Sequence, residues 1–228
     1  MRTLFIIAAL LITVSSSAQK FWQKLSGGFN VSLGLPQGEF KEANNNAAFG
    51  VRGHIMYNPN RQVPLKFGLE LGYSTMGTER VYFYDSWFDQ YELSASSNIF
   101  SLQFKLRLQQ QKTATAVRPF AEGILGWNDF FSTVNVERLT DYGPGFNNSY
   151  GESTEASWAF TYGGAAGLDI RLNKDGNIWL EIKTAYMIGR ETTYYINPQI
   201  LSNGQVTFEQ RQSETNMLIP QLGVKFGL

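Results

Sequence analysis

Cysteine is absent from the 228-residue chain, and histidine occurs once. The first absence excludes disulfide staples and thiolate chemistry. The second leaves His54 as the sole imidazole for acid–base work near neutral pH. An excess of positive charge is missing too, with 19 basic residues against 19 acidic ones. Nucleic acid, whose phosphates call for a basic surface, is therefore excluded as a partner. Beyond the N-terminus no apolar run approaches the roughly 20 residues of a membrane-spanning helix. Phosphate-binding glycine loops and the ordered oxygen spacing of an EF-hand are lacking as well, so no cofactor or metal is expected.

What is present begins with MRTLFIIAALLITVSSSAQK, in which Arg2 precedes an apolar run from Leu4 to Val14 and then Ser16-Ser17-Ala18. The run is too short to cross a bilayer and suits the hydrophobic core of a secretory signal peptide. Cleavage after Ala18 is expected, leaving residues 19–228 as a single domain.

The remainder reads as eight two-faced segments. In NIFSLQFKLRLQQ, Phe100, Leu102, Phe104, Leu106 and Leu108 point one way, and Ser101, Gln103, Lys105, Arg107 and Gln109 the other. Three earlier segments alternate in the same way, from Gly28, Phe49 and Leu65; their polar faces include Arg52, His54, Lys66 and Glu70. PFAEGILGW, from Pro119, is the least regular, and Glu122 is assigned to its polar side. The segments ending at Arg171, Gly189 and Leu228 put Asp169, Arg171, Glu181, Lys183 and Lys225 on polar faces. Eight such strands predict an all-β, antiparallel up-and-down barrel, because closure removes every unpaired edge.

The connections alternate in length. NPNRQVP, QKTATAV and NKDG are short, whereas Pro36 to Asn46, roughly Thr78 to Ser97, Arg138 to Ala156 and Glu191 to Thr215 are long. Transmembrane barrels have short periplasmic turns and longer outer loops. A three-residue loop from Lys174 to Gly176, with Gly176 left-handed, would set Arg171 diagonal to Glu181 and Asp169 diagonal to Lys183.

Alternation alone does not say which face is inside, but glycine does. Gly28, Gly34, Gly50, Gly68, Gly72, Gly163, Gly167, Gly223 and Gly227 fall on polar faces. Water has no need of so many strand-weakening residues, whereas an eight-stranded barrel has an interior barely wide enough for side chains. The polar face is therefore expected inside as a plug, with Arg52, His54, Glu70, Lys105, Arg107, Glu122, Asp169, Arg171, Glu181, Lys183 and Lys225 forming a salt-bridged, partly hydrated network. Leu and Phe side chains then face lipid. Tyr57, Tyr73, Trp127, Trp158 and Tyr186 fit aromatic girdles.

The opening strand GGFNVSLGL, the loop start PQGEF and the end LIPQLGVKFGL resemble the small outer-membrane β-barrel proteins of Gram-negative bacteria. The resemblance, which covers about Ser26 to Leu228, implies an eight-stranded transmembrane barrel in the outer membrane. It also implies that the last strand, through Leu222, Val224, Phe226 and Leu228, is read by the barrel-insertion machinery. It transfers a fold and a location, not an activity.

Among the outer loops, RVYFYDSWFDQYEL is the most unusual stretch. Tyr82, Phe83, Tyr84, Trp87, Phe88 and Tyr91, interleaved with Asp85, Asp89 and Glu92, form a candidate interaction surface. Continuation of the strands as a self-packed hairpin above the membrane explains the same residues. Thr193–Ile196 and Gln205–Phe208 around Asn203-Gly204 support such protrusion in the last long loop. His54 lies near the short-turn end, away from where a substrate would meet the long loops, and reads as a satisfied interior residue. The acid pairs Asp85/Asp89 and Asp129/Asp141 read as solvated charge. With no placed base and nucleophile, an enzyme is not expected. The leading function is structural or surface-interaction, with another envelope protein or a host-surface protein as partner; a narrow pore is the alternative, and a soluble lipocalin-like carrier with reversed faces is a third reading.

Overall fold

The computed structural model describes residues 24–60, 63–84, 90–110, 115–138, 150–153, 157–173, 177–201 and 205–227. Its strands are β1 (Leu25–Pro36), β2 (Ala48–Tyr57), β3 (Leu65–Tyr84), β4 (Gln90–Gln109), β5 (Val117–Arg138), β6 (Tyr150–Ser153), β7 (Ser157–Arg171), β8 (Ile178–Gly189), β9 (Glu191–Ile200), β10 (Val206–Glu214) and β11 (Met217–Gly227). A five-residue helix, α1 (Glu39–Ala43), follows β1. The expected signal peptide, the Lys174–Gly176 turn and Asn203-Gly204 lie outside the described residues.

Eight strands close a ring in which β1, β2, β3, β4, β5, β7, β8 and β11 pair antiparallel in turn and β11 returns to β1. Hydrocarbon offers backbone amides no partner, so a closed ladder is what allows strands to cross it. At Pro220, which lacks an N–H, pairing with β1 is interrupted between Ser32↔Gln221 and Leu35↔Leu218, while pairing with β8 continues through Thr184.

The faces are clear. Phe104 is 46% exposed, Leu69 56% and Ile55 61%, whereas Arg107, Lys105 and Glu181 are fully buried. Polar residues are inside and the apolar ones outside, so the reversed carrier arrangement is not the one found. Along β4 the outward run from Phe100 to Leu108 spans about 27 Å of strand, or on the order of 20 Å along the normal of a tilted barrel, comparable to the apolar band of such proteins. Inner and outer glycines differ in the same sense. A Cβ added at Gly50, Gly68, Gly126, Gly163 or Gly223 would lie closer than 3.0 Å to a neighbouring backbone atom, whereas one at Gly53 or Gly123 meets nothing within 4 Å.

One feature of the long-loop end matches the self-packed hairpin weighed from the sequence, and two differ from expectation. The segment from Thr78 to Ser97 is mostly paired, because β3 and β4 run on past the barrel from Gly77↔Ser97 to Tyr84↔Gln90 after a bulge at Met76. β4 continues on β5 to Tyr91↔Arg138, and β6 adds a fourth strand. The last long loop does not prolong the barrel strands; β9 and β10 form a separate two-stranded sheet. Finally, the interior is polar only in part. Phe40 of α1 and Tyr194 and Ile196 of β9 pack with Met76, Ile99, Phe130, Met187, Met217 and Ile219 as an apolar cluster at the long-loop end. Phe40 meets Tyr194 edge-on at 5.1 Å and Phe130 at 6.0 Å between ring centroids. Hydrophobic side chains of the loops thus cap a mouth that strand periodicity alone leaves open.

Candidate functional site

The lumen below this cap is charged. Alternation on seven strands aims Arg52, Glu70, Lys105, Arg107, Glu122, Asp169, Glu181, Lys183 and Lys225 at a common axis, and all are buried. Arg107 is the hub: its Nε donates to Glu122 at 2.6 Å, and its Nη2 lies 2.5 Å from Glu122 and donates to Glu181 at 2.7 Å. Its guanidinium also sits 3.9 Å from the centre of the Phe120 ring. Glu70 accepts from Lys105, from Arg52 at 3.3 Å and from Lys183 at 3.3 Å. Glu181 accepts from Asn30 at 2.9 Å and pairs with Lys183 at 3.0 Å. Asp169 is held by Lys225 and by Gln109 Nε2 at 2.5 Å. Pairing of this density is what lets ions persist in a barrel interior, since an isolated buried charge costs several kcal/mol.

The small inner glycines make this possible. A Cβ at Gly28 would lie 2.5 Å from His54 Cε1, and one at Gly72 3.1 Å from Arg52 Cγ. The β7–β8 register sets Asp169 opposite Glu181 and Arg171 opposite Trp179, so Asp169 is diagonal to Lys183 and Arg171 to Glu181 as expected, while the ion pair of Asp169 is with Lys225. Chains long enough to cross a narrow lumen choose partners by distance through space, not by ladder position. His54 is inside: its Nδ1 is 4.0 Å from Glu70 and its Nε2 3.9 Å from Glu181, with no direct hydrogen bond from the protein at either nitrogen. Those gaps suit bridging water.

Residues that face one another directly across an antiparallel pair share a face. Lys66 opposes Arg107 and Arg118 opposes Asp169, so both belong to the lumen. Among the described residues the inward cations are therefore Arg52, Lys66, Lys105, Arg107, Arg118, Arg171, Lys183 and Lys225, against the carboxylates Glu70, Glu122, Asp169 and Glu181. Lys66 was legible on the polar face of its segment; Arg118 was not, because Pro119 obscures where β5 begins.

At the long-loop end, Tyr82 is 53% and Phe83 40% exposed, on opposite faces of β3. Phe83 stacks on Tyr91 at 5.5 Å, and Arg80 lies 3.5 Å from Glu92. Tyr84 is in β3, whereas Trp87, Phe88, Asp85, Asp89 and Asp141 lie outside the described residues. Asp129 is on the wall, opposite Phe100 and Trp158. The strands that carry Tyr82, Phe83 and Tyr91 make a paired extension of the barrel wall.

A closed antiparallel ring with a lipid-facing apolar surface and an ion-paired lumen defines an outer-membrane β-barrel. The chain belongs to the outer membrane protein beta-barrel domain family, whose model matches residues 6–209. It is an outer-membrane protein of a Gram-negative bacterium. Similar solved structures include neisserial surface protein A (12% identity, TM-score 0.45, covering 90% of this chain and 96% of that one) and Ail, the attachment invasion locus protein of Yersinia pestis, in complex with the heparin analogue sucrose octasulfate (15%, 0.35, 89% and 95%). The N-terminal barrel of Pseudomonas aeruginosa OprF is another (13%, 0.35, 88% and 96%). No curated protein matches the chain.

Proposed function

We propose that this barrel is a plugged, non-enzymatic membrane anchor that displays a binding surface at its long-loop end, for another envelope protein or a host-surface protein. The observation that carries this reading is the sheet β3–β4–β5–β6, which continues beyond the ring and exposes Tyr82 and Phe83. Exposed aromatic side chains on an ordered scaffold are the usual anchors of protein interfaces. The apolar cap and the paired lumen below it favour this over conduction. No base and nucleophile stand together at the long-loop end among the described residues, and His54 lies among the buried charges, which favours binding over catalysis. Leu222, Val224 and Phe226 lie in β11 at the closing seam, in keeping with a role for that strand in insertion.

The test is to replace Val81–Tyr91 with a short Gly-Ser turn and compare adhesion of cells displaying the two forms to matrix-coated and host-cell surfaces, with folding checked by SDS mobility. Loss of adhesion with an intact barrel is expected. Unchanged adhesion refutes the role of this sheet.

A further inference from the structure

We propose that the closing seam of the barrel binds an outer-leaflet lipid whose acyl chain carries a hydroxyl or an amide N–H close to its head group. Pairing of β1 with β11 runs from Ser26↔Gly227 to Ser32↔Gln221 and resumes in the same register at Leu35↔Leu218. That register sets Leu33 against Pro220, which has no N–H to give. The Leu33 carbonyl therefore lacks its ladder donor. On the other side of Pro220 the ladder to β8 is unbroken through Thr184, so the defect faces β1 alone. A backbone acceptor without a partner is costly in hydrocarbon, where no water replaces the missing bond.

A second polar group lies beside it. Thr184, opposite Pro220, is exposed on the lipid face between Ile182 and Tyr186, and its hydroxyl has no hydrogen bond among the described residues. Leu33, Pro220 and Thr184 line one groove of about 400 Å³, walled by Val31, Phe49, Ile182 and Leu222 and within the size range of small-molecule pockets. The groove is continuous with the apolar wall that meets lipid, so its occupant is an acyl chain. A plain ester-linked chain offers only acceptors and leaves the Leu33 carbonyl unpaired. A hydroxyl or amide N–H on the chain donates to that carbonyl and bonds with the Thr184 hydroxyl. The depth fits such a group. Tyr186, the next outward residue of β8 towards the long-loop end, stands about 5 Å above Thr184 along the normal of a tilted strand, so the groove opens just beneath the outer interface.

The test uses the protein extracted from outer membranes and exchanged into phosphatidylcholine nanodiscs. Two lipids are titrated separately and counted by native mass spectrometry: a glucosamine phosphate with β-hydroxymyristoyl chains in amide linkage, and the same head group with plain myristoyl esters. The hydroxylated amide should bind saturably and about tenfold more tightly than the ester, the size of one or two net hydrogen bonds. Thr184→Val removes the hydroxyl and keeps the shape. Pro220→Ala restores the N–H that closes the ladder to Leu33, and so takes the acceptor away. Each should weaken the amide lipid by about fivefold or more and leave the ester lipid as it was, with the heat-dependent SDS mobility shift intact. Loss in one variant alone supports the site and identifies which group makes the contact. Equal retention of the two lipids by the wild type, or unchanged binding by both variants, overturns the proposal. Should one variant fail to fold, the other is read against the same outcomes.

Discussion

Replacing Arg107 with methionine tests whether the lumen is held by its ion pairs or only filled by them. Methionine keeps an unbranched apolar side chain and removes the guanidinium, and with it the stacking on Phe120 and the bonds to Glu122 at 2.6 and 2.5 Å and to Glu181 at 2.7 Å. Each charge-assisted bond is worth roughly 1.5–3 kcal/mol, so the gross loss is large. Part of it is offset: Glu122 keeps Lys105 at 3.6 Å and Lys183 at 3.8 Å, and Glu181 keeps Lys183 at 3.0 Å and Asn30 at 2.9 Å. A net destabilisation of about 3–5 kcal/mol follows, the range for a buried pair that loses one partner. Adding Glu122→Gln removes the orphaned carboxylate and should cost less than the sum of the two single changes, with a coupling above about 1 kcal/mol. Urea unfolding in lipid vesicles, followed by the mobility of unboiled samples in SDS, reads both quantities. A cost below about 1 kcal/mol for Arg107→Met, or strict additivity in the double variant, would show that the network does not stabilise the barrel.

The two classes of glycine should respond oppositely to Val: Gly163→Val and Gly223→Val should lower stability by about 1–3 kcal/mol or more through overpacking, whereas Gly53→Val and Gly123→Val should be neutral or raise it slightly. Equal effects in the same unfolding assay would contradict the assignment of faces. Tyr194→Ala should release the β9–β10 hairpin, giving faster trypsin cleavage at Arg190 or Arg211 while the heat-dependent mobility shift of the barrel persists; loss of both together would mean that cap and barrel are one unit. Burial raises the Tyr194 phenol above its ordinary value near 10, outweighing the Ser213 hydrogen bond that lowers it. The neutral phenol is the form the cap favours, so its contribution is whole below about pH 10 and is lost as the pH rises through the raised value; alkaline protection from trypsin should fall in that window. Planar-bilayer recordings should show no conductance steps in the wild type, and reproducible steps would restore the narrow pore.

The lipid-facing strips were legible because a strand repeats every two residues: Phe100 to Leu108 needs no tertiary information to be read as one face. Which face lay inside was legible from glycine, since a strand with Gly68 and Gly72 beside Glu70 makes sense only where side chains crowd. What the lumen does with its charges was not legible. Lys225 reaches Asp169 over the intervening β8, Arg107 bridges carboxylates on β5 and β8, and His54 stands apart from both neighbours, outcomes set by distances between strands that are not paired with one another. The cap was hidden for a related reason. Tyr194 and Ile196 have ordinary strand character, and nothing local says that their hairpin folds onto Phe40 and Phe130 and not away from them. Local periodicity determined the two faces of the wall, and the placement of glycine determined which of them meets lipid. The pairing within the lumen and the closure of the outer mouth were decided by the closed ring, because only closure sets the distances over which charges and aromatic rings select their partners.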